Sequence, residues 1–284
     1  MNSLQKTIKK KISFTGIGLH SGQPSKIELL PLKENQGIVF NSINSNQVHK
    51  IKANWKYLSS ANLCTKIKNK KIEISTIEHL MFSLSALGIT NILIRINSSE
   101  IPIMDGSAKT FVDEIKKIGV LNQKKIARVL KIKKKIKVIN NDKIIEIEPN
   151  KNNELEIKLK LNYKNKIIGN QEFSYIHSKE HFLKIYDCRT FCLQEDLEKI
   201  FAMGLGRGGS LENAIIVSGE KVLNQGGLRY TDEFVRHKIL DCVGDIYLSG
   251  YKIFGKIKGY QSGHDMTARL LKEIFKRKAN YEII

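Results

Sequence analysis

"FVRHKILDCVGDIYL", residues 234–248, reads as one helix. With successive residues about 100° apart, His237, Asp241 and Asp245 fall within one narrow arc, alongside Phe234, Gly244 and Leu248. Val235, Ile239, Leu240, Val243 and Ile246 cover most of the remaining circumference. A helix that is apolar nearly all round is buried. Burying an imidazole and two carboxylates on such a helix is unfavourable unless they are paired or hold an ion.

The surroundings of this helix suggest an architecture. It is followed by a strand, "KIFGKIKGY", a turn, "QSG", and a helix, "HDMTARLLKEIFKR". The first half of the chain ends in the same order. A helix at 75–88, "STIEHLMFSLSALG", begun by Ser75 and ended by Gly88, precedes the strand "NILIRIN", the turn "PIMDGSA" and the helix "KTFVDEIKKIG". Strand-like runs come before both: "KISFTGIGL", "SKIELLPL" and "GIVF" in the first half, and "ARVLKIKKKIKVI", "KIIEIEP" and "ELEIKLKLNY" in the second. The expected fold class is α+β, with two structurally related two-layer domains, each a sheet packed on helices. The division falls at residues 1–124 and 125–284, in the Lys-rich segment near 121–127.

Composition narrows the function classes. At 284 residues with 41% hydrophobic and 27% charged content, the chain has the makeup of a globular protein with a substantial core. No apolar run approaches the roughly 18–20 residues of a membrane span. The cationic start, "MNSLQKTIKKKISF", lacks the apolar segment of an export signal, so a cytoplasmic location is expected. The four cysteines form no CxxC pair and suggest neither a disulfide framework nor a zinc ribbon.

A net charge of +20 raises the alternative of a basic nucleic-acid-binding protein whose His and Asp residues are structural. Its distribution argues against that reading. Forty lysines are spread along the chain beside only eight arginines, the better fork for phosphates and bases. No nucleic-acid partner is expected, and the charge is compatible with an anionic substrate or peripheral membrane contact. No obligate protein partner is evident.

On a helix, His237 and Asp241 project side by side, as two ligands to one metal ion do. A His hydrogen-bonded to a carboxylate inside a core presents the same pattern and is commoner. Glu78 and His79 open the corresponding helix of the first half. There, Ser75-Thr76-Ile77-Glu78 also fits a capping box, in which Glu78 merely caps the helix. If the domains pack face to face, His79 meets His237 and Asp241, giving three ligands with a fourth position open, the pattern of a catalytic zinc. Glu78 then lies beside a ligand without being one, where a base belongs. His264 starts the last helix after a tight turn; it is as readily a turn residue as a charged group compensated by Asp245. A third reading is a zinc-stabilised scaffold without catalysis.

The segments "TGIGLHSGQP" (15–24), "STIEHLMFSLSALGI" (75–89), "EIPIMDGSA" (100–108), "DCRTF" (187–191), "GLGRGGS" (204–210), "GLRYTDEFVRHKILD" (227–241) and "GYQSGH" (259–264) span nearly the whole chain. Together they resemble the zinc-dependent UDP-3-O-acyl-N-acetylglucosamine deacetylase family of Gram-negative bacteria, which commits a precursor to lipid A. The resemblance implies Zn2+ held by His79, His237 and Asp241, with Glu78 as general base. It implies His264 as general acid and oxyanion stabiliser, oriented by Asp245, and the Thr190 hydroxyl near the scissile carbonyl. Phe191 would contact the sugar, and Lys238, pointing away from the metal arc, the diphosphate or sugar. Tyr163 would stack on uracil.

The implied substrate is an acylated UDP-amino sugar. The implied reaction is hydrolysis of its N-acetyl group, with the site between the two domains. An insertion near 160–185 would hold the acyl chain. Iron(II) or cobalt would suit the same three ligands. His20, in "GIGLHSG", and Asp105, in "MDGSA", are expected to serve turns.

Overall fold

The computed structural model describes residues 3–44, 47–59, 62–178 and 180–284. Its five α-helices are α1 (Glu78–Ala86), α2 (Lys109–Ile118), α3 (Leu197–Ala202), α4 (Glu233–Ile246) and α5 (His264–Lys276). The fold is α+β, and the two halves repeat one topology. In the first, the hairpin Ile12–Ile17/Pro24–Pro31 and the hairpin Ile38–Asn44/Gln47–Lys52 are joined by Ile92–Ile96, which lies between them. That middle strand is antiparallel to Pro24–Pro31 and parallel to Ile38–Asn44. In the second, Lys252–Tyr260 lies between the hairpins Ile136–Asn140/Lys143–Glu148 and Leu155–Asn162/Asn170–Ile176 with the same two directions. The middle strand of each sheet runs between two helices in sequence, α1 and α2 in one half, α4 and α5 in the other.

The helices lie where their composition requires. Eight of the nine residues of α1 and twelve of the fourteen of α4 are buried, so neither has a solvent face. They pack along each other, with α4 and α5 also against the second sheet and α2 against the first. Buried apolar side chains of both halves form one continuous core. Gly244 permits the close approach of α4 to α1: a Cβ there would stand 2.1 Å from the Glu78 carbonyl oxygen. Leu4–Ile8 and Val120–Ile126 pair as a separate ribbon. No helix among the described residues is long and apolar enough to cross a membrane.

Two expectations are corrected. The helix expected over 75–88 begins only at Glu78, because Ser75 belongs to the strand Glu73–Ser75 and Thr76 takes a positive φ of 56°. That conformation is strained for a β-branched residue. It is held by the Thr76 hydroxyl donating to the buried carboxylate of Glu100 at 2.7 Å. No side chain caps α1, so Glu78 is free of the capping-box role.

The insertion placed near 160–185 is largely regular sheet: Asn170–Ile176 is the partner strand of the second hairpin and matches Gln47–Lys52 of the first half. The segment that departs from the shared topology comes later. Phe191–Leu193, Ile215–Ser218 and Lys221–Val222 form a separate three-stranded sheet, with α3 between its first two strands. None of the residues of α3 is buried.

A polar link also joins the halves. Ser85 Oγ of α1 lies 3.0 Å from His177 Nε2, whose Nδ1 is 2.9 Å from the Tyr175 hydroxyl. Burial, with Lys252 nearby, pushes the His177 pKa down to about 4. The unfolded chain therefore binds a proton near pH 6.5 that the folded chain refuses. The stability this residue contributes is full above about pH 6.5 and is lost as pH falls towards 4. His177→Gln is expected to flatten the acid slope of stability across that window. Trp55, stacked on Phe275 with ring centroids 4.7 Å apart, is the sole tryptophan and gives the fluorescence readout. An unchanged slope would refute the assignment.

Candidate metal centre and active site

The seam between α1 and α4 brings the polar residues of both halves together. His79, in the first turn of α1, faces His237 and Asp241 on α4, and one ligand atom from each falls within 4.8 Å of the others. Asp241 Oδ1 lies 3.5 Å from His79 Nε2 and 3.3 Å from His237 Nε2. The two imidazoles meet edge to face at 5.1 Å.

His237 Nδ1 stands 3.0 Å from the Cys188 carbonyl, which can only accept, so Nδ1 carries the hydrogen and Nε2 presents a lone pair. Burial pushes the His237 pKa down to about 3, keeping the ring neutral. Burial alone would raise Asp241, but the Lys238 ammonium and the His264 imidazolium hold its carboxyl well below the usual range. Asp241 Oδ1 is buried and has no hydrogen-bond partner. Two imidazole nitrogens and a carboxylate oxygen with no hydrogen-bond partner, converging on one point, fit a divalent cation such as zinc.

Glu78 points at the same place without joining the ligand set. Its side chain is 4% exposed, Oε2 accepts from the Thr65 backbone N–H at 3.1 Å, and Oε1 lies 3.7 Å from His264 Nε2. Burial raises its pKa. His264, first residue of α5, places Nδ1 2.8 Å from Asp245 Oδ2 and Nε2 3.7 Å from Asp241 Oδ2. Burial disfavours the imidazolium, yet Asp245, Asp241 and Glu78 outweigh it and push the pKa up to about 9.

Thr65 escaped the sequence reading. Its hydroxyl bonds Asp245 Oδ1 and stands 3.1 Å from His264 Nδ1, while its N–H holds Glu78. Nothing in "NLCTKIK" marks it, since the link depends on a distant helix.

A cavity of about 390 Å³ runs past these groups. Thr190, Phe191, Lys238 and Tyr163 all line it, as do Asn140, Lys143 and Gln261, which sequence reasoning missed. Its apolar lining comes mainly from the segment of the three-stranded sheet and α3, through Leu193, Leu197, Ile200, Ala214 and Ile216, joined by Leu19, Leu63, Ile103 and Met266; of the described residues in 160–185, only Leu161 and Tyr163 take part.

Lys238 departs from expectation. Its ammonium reaches one turn forward along the helix to Asp241 Oδ2 at 2.9 Å, over the Phe191 ring, instead of pointing away from the ligand arc. The buried carboxylate attracts the flexible i,i+3 side chain more than water does. His20 also lines the cavity, outside the ligand group, with Gly206 N–H donating to its Nδ1 at 3.4 Å. Asp105 accepts from the Ser107 N–H in a turn and pairs with Arg229 at 3.1 Å.

The cluster at the seam has the donor set of a hydrolytic metal site. The family model of LpxC, UDP-3-O-acyl N-acetylglycosamine deacetylase, matches residues 5–276, and the chain belongs to that family. A UDP-3-O-acyl-N-acetylglucosamine deacetylase of Campylobacter fetus is 40% identical over 281 residues, covering 99% of this chain and 94% of its own length. One from Legionella pneumophila is 40% identical with 98% and 92% covered, and one from Wigglesworthia glossinidia brevipalpis 39% identical with 98% and 94% covered. The nucleic-acid reading finds no support among these relatives.

Proposed function

We propose that the chain is a zinc-dependent deacetylase that hydrolyses the N-acetyl group of UDP-3-O-acyl-N-acetylglucosamine, giving UDP-3-O-acyl-glucosamine and acetate, the committed step of lipid A biosynthesis. The observation that carries this reading is the unpaired, buried Asp241 Oδ1 between two imidazoles, with Glu78 and His264 beside it. Residues 1–124 and 125–284 act as two domains that share the site, in the cytoplasm.

His79, His237 and Asp241 would hold the ion. Bound there, zinc would lower the pKa of a water and polarise the amide carbonyl. Glu78, its carboxyl pKa raised by burial, takes the proton from the attacking water. The oxyanion that forms at the former carbonyl is met by the Thr190 hydroxyl and the His264 imidazolium. Asp245 and Thr65 keep His264 oriented. As the C–N bond breaks, the sugar nitrogen takes a proton from His264 or from Glu78, and acetate leaves.

Lys238 and Lys143 supply positive charge for the diphosphate, Phe191 packs on the sugar, and Tyr163 stacks on uracil. The acyl chain occupies the apolar lining between Leu193 and Ile216, in place of the region near 160–185.

The direct test is incubation of the purified, zinc-loaded protein with the acylated UDP-sugar. One acetate and one primary amine are expected per substrate consumed, and intact substrate beside stoichiometric zinc would refute the reading. Ile200→Trp, which narrows the apolar lining, is expected to lower kcat/KM for long acyl chains relative to short ones by about 10- to 200-fold. Equal losses for both lengths would move the acyl chain elsewhere.

A further inference from the structure

Two motifs, "DCRTF" and "GLRYTDEF", contain charged residues that the reaction leaves unused. Arg189 and Glu233 are both buried, Glu233 completely. The Glu233 carboxylate accepts four hydrogen bonds. Arg189 N–H and Nε each donate to Oε1 at 3.0 Å, and Arg189 Nη2 and the Arg229 N–H donate to Oε2 at 3.2 and 2.6 Å. Arg189 Nη2 also reaches the Gly227 carbonyl at 2.8 Å.

We propose that Glu233, through Arg189, is a positioning residue that sets the 188–190 segment against α4, fixing His237 and the Thr190 hydroxyl together. Glu233 and His237 are four residues apart on one helix, so they share a face one turn apart. Arg189 sits between Cys188, whose carbonyl orients the His237 ring, and Thr190, which lines the cavity. Beyond Arg189, the Thr190 N–H donates to the Gly106 carbonyl and the Thr190 carbonyl accepts from Ile215, both at 2.8 Å.

The carboxylate grips both the main chain and the side chain of Arg189, so the segment can neither slide along the helix nor rotate away from it. Well-packed apolar side chains stabilise a core at least as well as a buried ion pair. What this pair adds is direction, because a planar fork on a carboxylate has one geometry.

The inference rests on the deacetylase reading for its kinetic arm and on the metal centre alone for its spectroscopic arm. Glu233→Gln keeps the shape but cannot accept from all four donors. In the zinc-loaded protein, its kcat on the acylated UDP-sugar is expected to fall about 10- to 100-fold while KM stays within about twofold. The cobalt-substituted protein is expected to show shifted visible bands, and zinc is expected to pass to a chelator faster.

Arg189→Lys retains the charge without the fork and is expected to behave like Glu233→Gln, which keeps the test available if one variant does not fold. In a Thr190→Val background the Glu233→Gln loss should shrink, since both act on one group. Wild-type kcat and an unchanged cobalt spectrum, with only a lower Tm, would overturn the proposal and leave Glu233 a purely structural residue. If the wild-type protein binds cobalt but releases no acetate, the deacetylase reading fails, and the spectrum still decides the positioning role.

Discussion

Glu78→Ala is expected to keep one zinc per chain and to lose turnover by about a hundred- to ten-thousand-fold, the range of a general base. The geometry separates the two functions. The ligand group comprises His79, His237 and Asp241, whereas the Glu78 carboxylate is occupied by the Thr65 N–H and faces His264. Deleting it would remove the proposed proton acceptor and leave the three candidate ligand atoms in place. Glu78→Gln is the sharper companion, because it preserves volume and the bond from Thr65 while lacking the basic oxygen. Metal analysis with acetate release on the same samples gives the answer. A Glu78→Ala protein at wild-type rate would remove Glu78 from the chemistry, and one without zinc would make it a ligand.

His237→Ala is expected to lose both zinc and turnover. Removing the imidazole takes away one of three donors and leaves Asp241 Oδ1 facing only His79. Two donors seldom retain zinc against a competing chelator. The variant should nevertheless fold, because the core that joins the halves is continuous and apolar. This outcome also tests the scaffold reading, in which loss of the metal would unfold the chain. Circular dichroism beside metal analysis distinguishes the two: a folded, zinc-free, inactive protein supports the catalytic centre, and retained zinc refutes the assignment of His237.

Legibility in the sequence followed the physics of each element. Burial of α4 could be read directly, since it is apolar nearly all round and carries its polar residues at helical spacing. The meeting of α1 with α4 required the parallel order of the halves, which the strands repeat in detail. Gln47–Lys52 and Asn170–Ile176, each the last strand of its second hairpin, went unread because "QVHKIK" and "NQEFSYI" carry too few apolar residues to show alternation. Missing the second of these misplaced the insertion. Thr76 and Thr65 were illegible for another reason: a positive φ held by Glu100, and a hydroxyl pointed at Asp245, arise from contacts far away in the chain. Lys238 was misdirected because its periodicity places the Cα, while a buried carboxylate decides where the ammonium goes.

Gly244 has a wider consequence. A Cβ at Gly244 would collide with the Glu78 carbonyl, so the separation of the two helices that carry Glu78, His79, His237 and Asp241 is gauged by main chain on main chain. Side-chain contacts relax by changing rotamers, but backbone contacts have no such freedom. The two helices therefore have a fixed separation at this point, and the side chains they carry are oriented from there by their own hydrogen bonds. Any enlargement at residue 244 would be felt at once by groups on both sides of the seam.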